Sequence, residues 1–167
     1  RVLFNERRDA NPFFHLVESV WMLAGERDAR FLDQYVKNFS SRFGEANGEI
    51  HGAYGYRWSN HFDMAQIPVI WEMLYTSPNT RRAVLTMWDP NFDLNVEKND
   101  IPCNTQIFFR VRDALLPDMD GTKTPVLDMM VSNRSNDAIW GAYGANAVHM
   151  SILQEVMAGL AGVQLGT

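Results

Sequence analysis

Cysteine occurs once in the 167-residue chain, as Cys103. An internal disulfide is therefore excluded, nothing marks a secreted, disulfide-stapled scaffold, and the expected location is cytoplasmic. Long apolar runs are missing too. No stretch approaches the roughly 18–20 residues that a membrane helix needs, and no signal-peptide pattern is present, so no membrane partner is expected. Positive charge is scarce: 15 Lys+Arg against 20 Asp+Glu leave a formal charge of −5, which argues against a nonspecific nucleic-acid binder. The four histidines, His15, His51, His61 and His149, have no metal-ligand spacing, and Cys103 has no partner for a zinc site, so no metal is expected. Repeats and low-complexity tracts are absent. What is abundant is core material: 46 % hydrophobic residues and 12 % aromatics are ample for one packed domain spanning residues 1–167.

Asn11-Pro12 reads as a cap followed by a first helical residue, and Phe13, Val17, Val20, Trp21 and Ala24 recur at helical spacing up to Gly25. A helix is expected over about 11–25. A second is expected over about 29–39, carrying Phe31, Leu32, Tyr35, Val36 and Phe39, before the glycine-rich segment from Gly44 to Gly55 interrupts it. Residues 65–76 read as a third helix with Pro68 in its first turn. Beyond Pro78, Ala83–Trp88, Thr105–Arg112 and Pro125–Val131 are rich in β-branched and aromatic residues and bounded by turn residues such as Asp89-Pro90 and Asp120-Gly121. Ile107, Phe109 and Val111 share one face. A last helix is expected, with Val148, Ile152, Val156, Met157 and Leu160 on one stripe. Helices, then strands, then a helix point to an α+β domain.

Several residues carry potential chemistry. Cys103 lies in Ile101-Pro102-Cys103-Asn104, ahead of a strand; it reads either as a small buried hydrophobe or as a nucleophile held as thiolate by nearby positive charge. Two compact arginine sites, Arg81-Arg82 and Arg134-Ser135, are solvated loop residues or the forks and hydroxyl of a phosphate site. The polar run Asn133–Asp137 after a strand is a turn or a ligand loop. Asn146, at the start of an apolar helix, caps that helix or reads a ligand edge.

The order Glu18-x-x-Trp21, Tyr54-Gly55, Arg81-Arg82, Pro102-Cys103, Arg134-Ser135-x-Asp137 and Gly141 followed by Asn146 resembles the thymidylate synthases and their pyrimidine hydroxymethylase relatives over most of the chain. The resemblance implies a mixed β-sheet packed with helices, with a sheet face forming a homodimer interface. It implies Cys103 as the nucleophile that adds to pyrimidine C6, so that C5 attacks a one-carbon unit from 5,10-methylenetetrahydrofolate. Glu18 is implied as the carboxylate organising water and proton transfer, and Tyr54 as a partner in deprotonating C5. Arg134 and Ser135 are implied phosphate ligands of the same subunit, and Arg81 and Arg82 those of the neighbouring subunit's site. Asp137 and Gly141 match positions beside the folate pterin, Trp21 lies with them, and Asn146 matches the residue that bonds the base. The partners implied are a pyrimidine nucleoside monophosphate, folate and a second copy of the chain.

Three departures bear on the product. Asn104 stands where the family synthases usually carry a histidine. The stretch between Gly141 and Asn146 is one residue longer than the family's. Ser40 and Phe43 stand where synthases usually carry tryptophans. A bulky aromatic there shields a reactive exocyclic methylene from water and leaves it for hydride transfer from the folate; its loss admits water. Ser40 thus favours a 5-hydroxymethyl over a 5-methyl nucleotide, with Phe39 or Phe43 as replacement shields. An asparagine at 146 offers donor and acceptor to uracil, so a dUMP-type substrate is favoured. Against the family the chain is short at both ends, and a piece of this extent is expected to be poorly active alone. The competing readings are a non-catalytic nucleotide-binding dimer module of the same fold and an unrelated cysteine hydrolase with a histidine directed at Cys103.

Overall fold

The computed structural model describes residues 10–116 and 121–167 and opens with the helix that Asn11-Pro12 announces. Helix α1 runs Pro12–Leu23; the Asn11 side chain accepts the Phe14 N–H at 2.9 Å, and Gly25 takes up the left-handed φ of 74° just past the end. Phe14, Trp21 and Met22 face inward, whereas Phe13 and Val20, which recur at helical spacing with Trp21, are exposed.

The helix expected over 29–39 is instead two short pieces. A 3-10 turn, Ala29–Gln34, is capped by Asp28, and a five-residue helix α2, Phe39–Phe43, follows. The break has local causes. Asn38 adopts a left-handed φ of 61°, and the Asp33 carboxylate captures the Ser40 N–H at 2.8 Å and its hydroxyl at 2.5 Å, so side-chain bonds replace the helical ladder.

At the end of the stretch read as a glycine-rich interruption a helix begins, α3, Tyr54–Ser59. Gly55 is what lets it lie against α1: a Cβ there would stand 1.9 Å from the Met22 carbonyl oxygen. Helix α4, Gln66–Thr76, carries Pro68 in its first turn, where backbone N–H groups have no helical acceptor to lose.

The strands follow in order. β1 is Val84–Thr86, the one-turn helix α5 is Pro90–Asp93, and β2, Asn104–Leu115, pairs antiparallel with β3, Lys123–Asn133. Asp120, half of the expected Asp120-Gly121 turn, lies outside the described residues. Ile107, Phe109 and Val111 turn the same buried face to the core, as their alternation requires. Helix α6, Ala145–Ala161, then packs against α1, α4 and β3, and β4, Gln164–Leu165, joins β3 in parallel. The sheet order β1-β2-β3-β4 is thus mixed, and the architecture is α+β. In α6 the buried residues are His149, Met150, Leu153, Met157, Ala158 and Ala161; of the five residues read as one stripe, Met157 alone is among them.

Candidate active site

A cavity of about 410 Å³ opens where the inner faces of α1 and α3 meet the start of α6. Glu18 and Trp21 reach it from α1, Tyr54 from the first turn of α3, and Asn146 from the first turn of α6. Four of the expected site residues, far apart in the chain, therefore share one space. Their i,i+3 placement on α1 puts Glu18 and Trp21 on one helix face; the Trp21 indole N–H is itself tied to the Asp28 carbonyl at 3.0 Å.

Cys103 is not among the residues that line this space; it is half-buried, with its thiol 3.9 Å from the Ile101 carbonyl oxygen. The next residue links it to the cavity: the Asn104 N–H donates to the Tyr54 hydroxyl at 3.3 Å. Burial pushes the Tyr54 phenol well above its ordinary value, and Cys103 and Asp100 nearby push in the same direction. Tyr54 is therefore a neutral hydroxyl, able to relay a hydrogen bond. The Asn104 side chain is fully buried, and neither its amide nitrogen nor its oxygen has a hydrogen-bond partner among the described residues.

Arg134 is brought to the cysteine loop. Its guanidinium donates to the carbonyls of Pro102 at 2.8 Å and Ile101 at 3.0 Å and lies over the Trp88 ring, while its backbone N–H donates to the Cys103 carbonyl at 3.0 Å. A cation thus stands beside the thiol's own loop. Ser135 follows it on the exposed surface. Asp137 caps the π-helical turn Ala138–Ala142, accepting from the Ile139 and Trp140 N–H groups at 2.8 and 2.6 Å. Gly141 has a packing reason: its Cβ would fall 2.1 Å from the Asn136 oxygen, which accepts from the Asn146 amide at 3.2 Å. Arg81 and Arg82 are exposed on the approach to β1, and neither lines the cavity of its own chain.

The cavity's aromatic wall is not where the Ser40 argument placed the opening. Ser40 is turned to Asp33 and does not line the cavity, whereas Phe14, Phe39 and Phe43 do, with ring centroids 5.2 Å apart for Phe14 and Phe39 and 4.8 Å for Phe39 and Phe43.

Three cavity residues escaped the sequence reading. His149 on α6 brings Nε2 to 2.9 Å from Glu18 Oε2, His15 on α1 brings Nδ1 to 3.9 Å from the same oxygen, and Asp100 lies across the space. Burial alone pushes the Glu18 carboxyl up, yet the His149 and His15 rings beside it outweigh that and bring it from 4.5 to about 2. Asp100 goes the other way, raised by burial that its partners do not offset. The absence of ligand spacing along the sequence had argued against a metal; in the fold His15, Glu18 and His149 bring one donor atom each within 4.8 Å of the others, close enough to share an ion or a water. His15 lies one turn from Glu18, and His149 one turn past Asn146, a signal the sequence did contain.

A larger cleft of about 710 Å³ holds none of the expected site residues. Its charges are spent on one another: Arg57 and His51 grip Asp93, and His61 meets Asp89 at 2.9 Å. Each histidine of the chain thus faces a carboxylate, and none is directed at Cys103 as a cysteine hydrolase would need.

A family model described as thymidylate synthase matches residues 11–167. The chain belongs to the thymidylate synthase family. It is 48 % identical over 166 residues to a deoxyuridylate hydroxymethyltransferase of Pseudomonas phage M6, covering 99 % of this chain and 44 % of that protein. A deoxyuridylate hydroxymethyltransferase of Bacillus phage SP01 is 35 % identical over 178 residues, covering all of this chain and 43 % of that protein. The chain thus spans less than half the length of these relatives. Among solved structures, thermostable thymidylate synthase A from Bacillus subtilis aligns with a TM-score of 0.69 at 22 % identity, over 92 % of this chain and 52 % of that one, a likeness of fold.

Proposed function

We propose that this chain belongs to an enzyme that transfers a one-carbon unit from 5,10-methylenetetrahydrofolate to C5 of a pyrimidine nucleoside monophosphate of the dUMP type, releasing the 5-hydroxymethyl nucleotide. The observation that carries the reading is the convergence of Glu18, Tyr54, Trp21 and Asn146 on one cavity, with the Cys103 loop tied to Tyr54 through the Asn104 N–H and to Arg134 through the Pro102 carbonyl. The names borne by the two phage relatives support the hydroxymethyl product and the deoxyuridylate substrate.

Each residue has a task that its surroundings suit. Cys103 adds through sulfur to C6, from a loop whose Pro102 and Ile101 carbonyls the Arg134 guanidinium holds. Asn146, steered by Asn136, meets the base edge. Arg134 and Ser135 hold the phosphate on one side, and Arg81 and Arg82 of a second copy hold it on the other, across a homodimer interface formed by a sheet face. Tyr54, a neutral hydroxyl bonded to the backbone beside the nucleophile, assists removal of the C5 proton. The folate fits the apolar side of the site: Trp140 is 62 % exposed and lines the cavity with Trp21, a surface suited to a flat heterocycle, beside the turn that Asp137 and Gly141 shape. When bound, it supplies the one-carbon unit.

The test is direct. Incubating the complete gene product with dUMP or dCMP and methylenetetrahydrofolate, and weighing the nucleotide product, is expected to give 5-hydroxymethyl-dUMP; accumulation of dihydrofolate would count for the methyl product instead. Cys103→Ala is expected to abolish both turnover and the covalent adduct with 5-fluoro-dUMP while nucleotide binding survives. Wild-type protein that binds dUMP without turnover or adduct would instead be the non-catalytic module.

A further inference from the structure

The wall of Phe14, Phe39 and Phe43 poses a problem for a hydroxymethyl product: an aromatic-lined cavity excludes loose water, so a water that captures the exocyclic methylene has to be held. Two carboxylates line the cavity, Glu18 and Asp100, and their surroundings drive them apart. Asp100 is pushed toward its neutral form by burial, while Glu18 is held as a carboxylate. The group that holds it is contributed by a different helix. His149, 5 % exposed, comes from α6 to 2.9 Å from Glu18 Oε2; His15, 9 % exposed, stands 3.9 Å from the same oxygen, its ring 5.9 Å from that of His149 and nearly perpendicular to it. Neither ring nitrogen of His15, nor Nε2 of His149, makes a hydrogen bond among the described residues, so both rings meet Glu18 as close approaches at ion-pair distance. Glu18 keeps 18 % of its side-chain surface open.

We propose that His149, with His15 beside it, is the positioning residue that keeps Glu18 oriented as the base for the methylene-capturing water, and so sets the partition between hydroxymethyl and methyl product. The inference rests on the reading of the site given above. In the step it serves, a lone pair of the water oxygen forms the C–O bond to the methylene carbon and the water proton passes to Glu18. The methylene π pair moves into the ring as the enolate at O4. The enolate then re-forms the carbonyl and the C5–C6 double bond, and the C6–S bond breaks with its electron pair returning to Cys103. No oxidant or reductant enters. Hydride capture, which oxidises the folate, is the competing fate. A carboxylate without His149 is buried with little to stabilise its charge, takes up a proton and no longer accepts one from water.

The experiment compares wild type, His149→Leu and His149→Gln as complete gene products, with dUMP and methylenetetrahydrofolate, quantifying 5-hydroxymethyl-dUMP and dTMP by mass. His149→Leu is expected to lower hydroxymethyl formation by about 100-fold and to shift the remaining product toward dTMP. The KM for dUMP should stay within about threefold, and the 5-fluoro-dUMP adduct should form as in wild type. His149→Gln, whose amide N–H reaches the position of Nε2, is expected to restore most of the hydroxymethyl product. Unchanged partition in His149→Leu with the adduct intact overturns the proposal alone, and equal losses of adduct and product in both variants reduce His149 to a structural role. Loss of activity to a chelator with recovery on adding zinc makes the cluster a metal site and also overturns it. A wild type that forms no adduct, or the methyl nucleotide only, takes the underlying reading down as well.

Discussion

At the scale of single residues, Glu18 shows how a fold chooses the protonation state of a side chain. Burial alone pushes its carboxyl up; two histidines from two helices bring it to about 2 instead of 4.5. A carboxyl whose folded value is depressed contributes stability that is fully present above the unfolded value of 4.5 and disappears as pH falls through about 2. The depression corresponds to on the order of 3 kcal/mol. Glu18→Gln removes this contribution. The urea midpoints of wild type and variant are expected to differ at neutral pH and to converge as acid is added; a gap that stays constant down to the acid end would show that Glu18 is not held ionised.

At the scale of elements, the short pieces α3 and α5 are joined by a buried ion pair rather than by apolar packing. Arg57, 1 % exposed, meets Asp93 through two bonds of 2.8 and 3.0 Å, and His51 and the Asp89 N–H complete the carboxylate's shell at 2.8 Å each. Those donors offset the burial that would raise Asp93, so it lies below its ordinary value. Removing one partner strands the other charge in the interior. Asp93→Ala is expected to cost about 3–5 kcal/mol in denaturant unfolding, whereas Arg57→Met with Asp93→Leu, which strands no charge, should recover part of the loss. An Asp93→Ala variant as stable as wild type would mean that water reaches Arg57 freely. Since α3 carries Tyr54, this pair also anchors one wall of the candidate site.

At the scale of the whole molecule, the cavity of one chain contains the groups expected around the base but not Arg81 and Arg82, which stand exposed before β1. If they complete a neighbour's site, as we propose, two different defects become complementary. Mixing inactive Arg81→Ala/Arg82→Ala protein with inactive Cys103→Ala protein under conditions of subunit exchange is expected to restore about one quarter of wild-type activity, because mixed dimers carry one intact site. No recovery, or a monomer in sedimentation, would place the arginines outside the site.

Much of this was written locally. The Asn11-Pro12 start, the first-turn Pro68, the shared face of Ile107, Phe109 and Val111 and the order of short motifs leading to the family depend on neighbours a few residues away, and the structure keeps them. Where two local patterns competed, sequence could not choose. In α6 both the Val148, Ile152, Val156, Leu160 stripe and the stripe through His149, Leu153 and Met157 repeat every four residues; packing against α1 and β3 selected the second. The same packing set His149 against Glu18, and the Asp33 carboxylate turned Ser40 away from the cavity it was expected to open. Residue types and their order thus determined, by themselves, the family and the nucleophile candidate. Only the tertiary structure decided which groups face one another across the cavity, because burial and charge pairing arise between helices that the chain does not place next to each other until it folds.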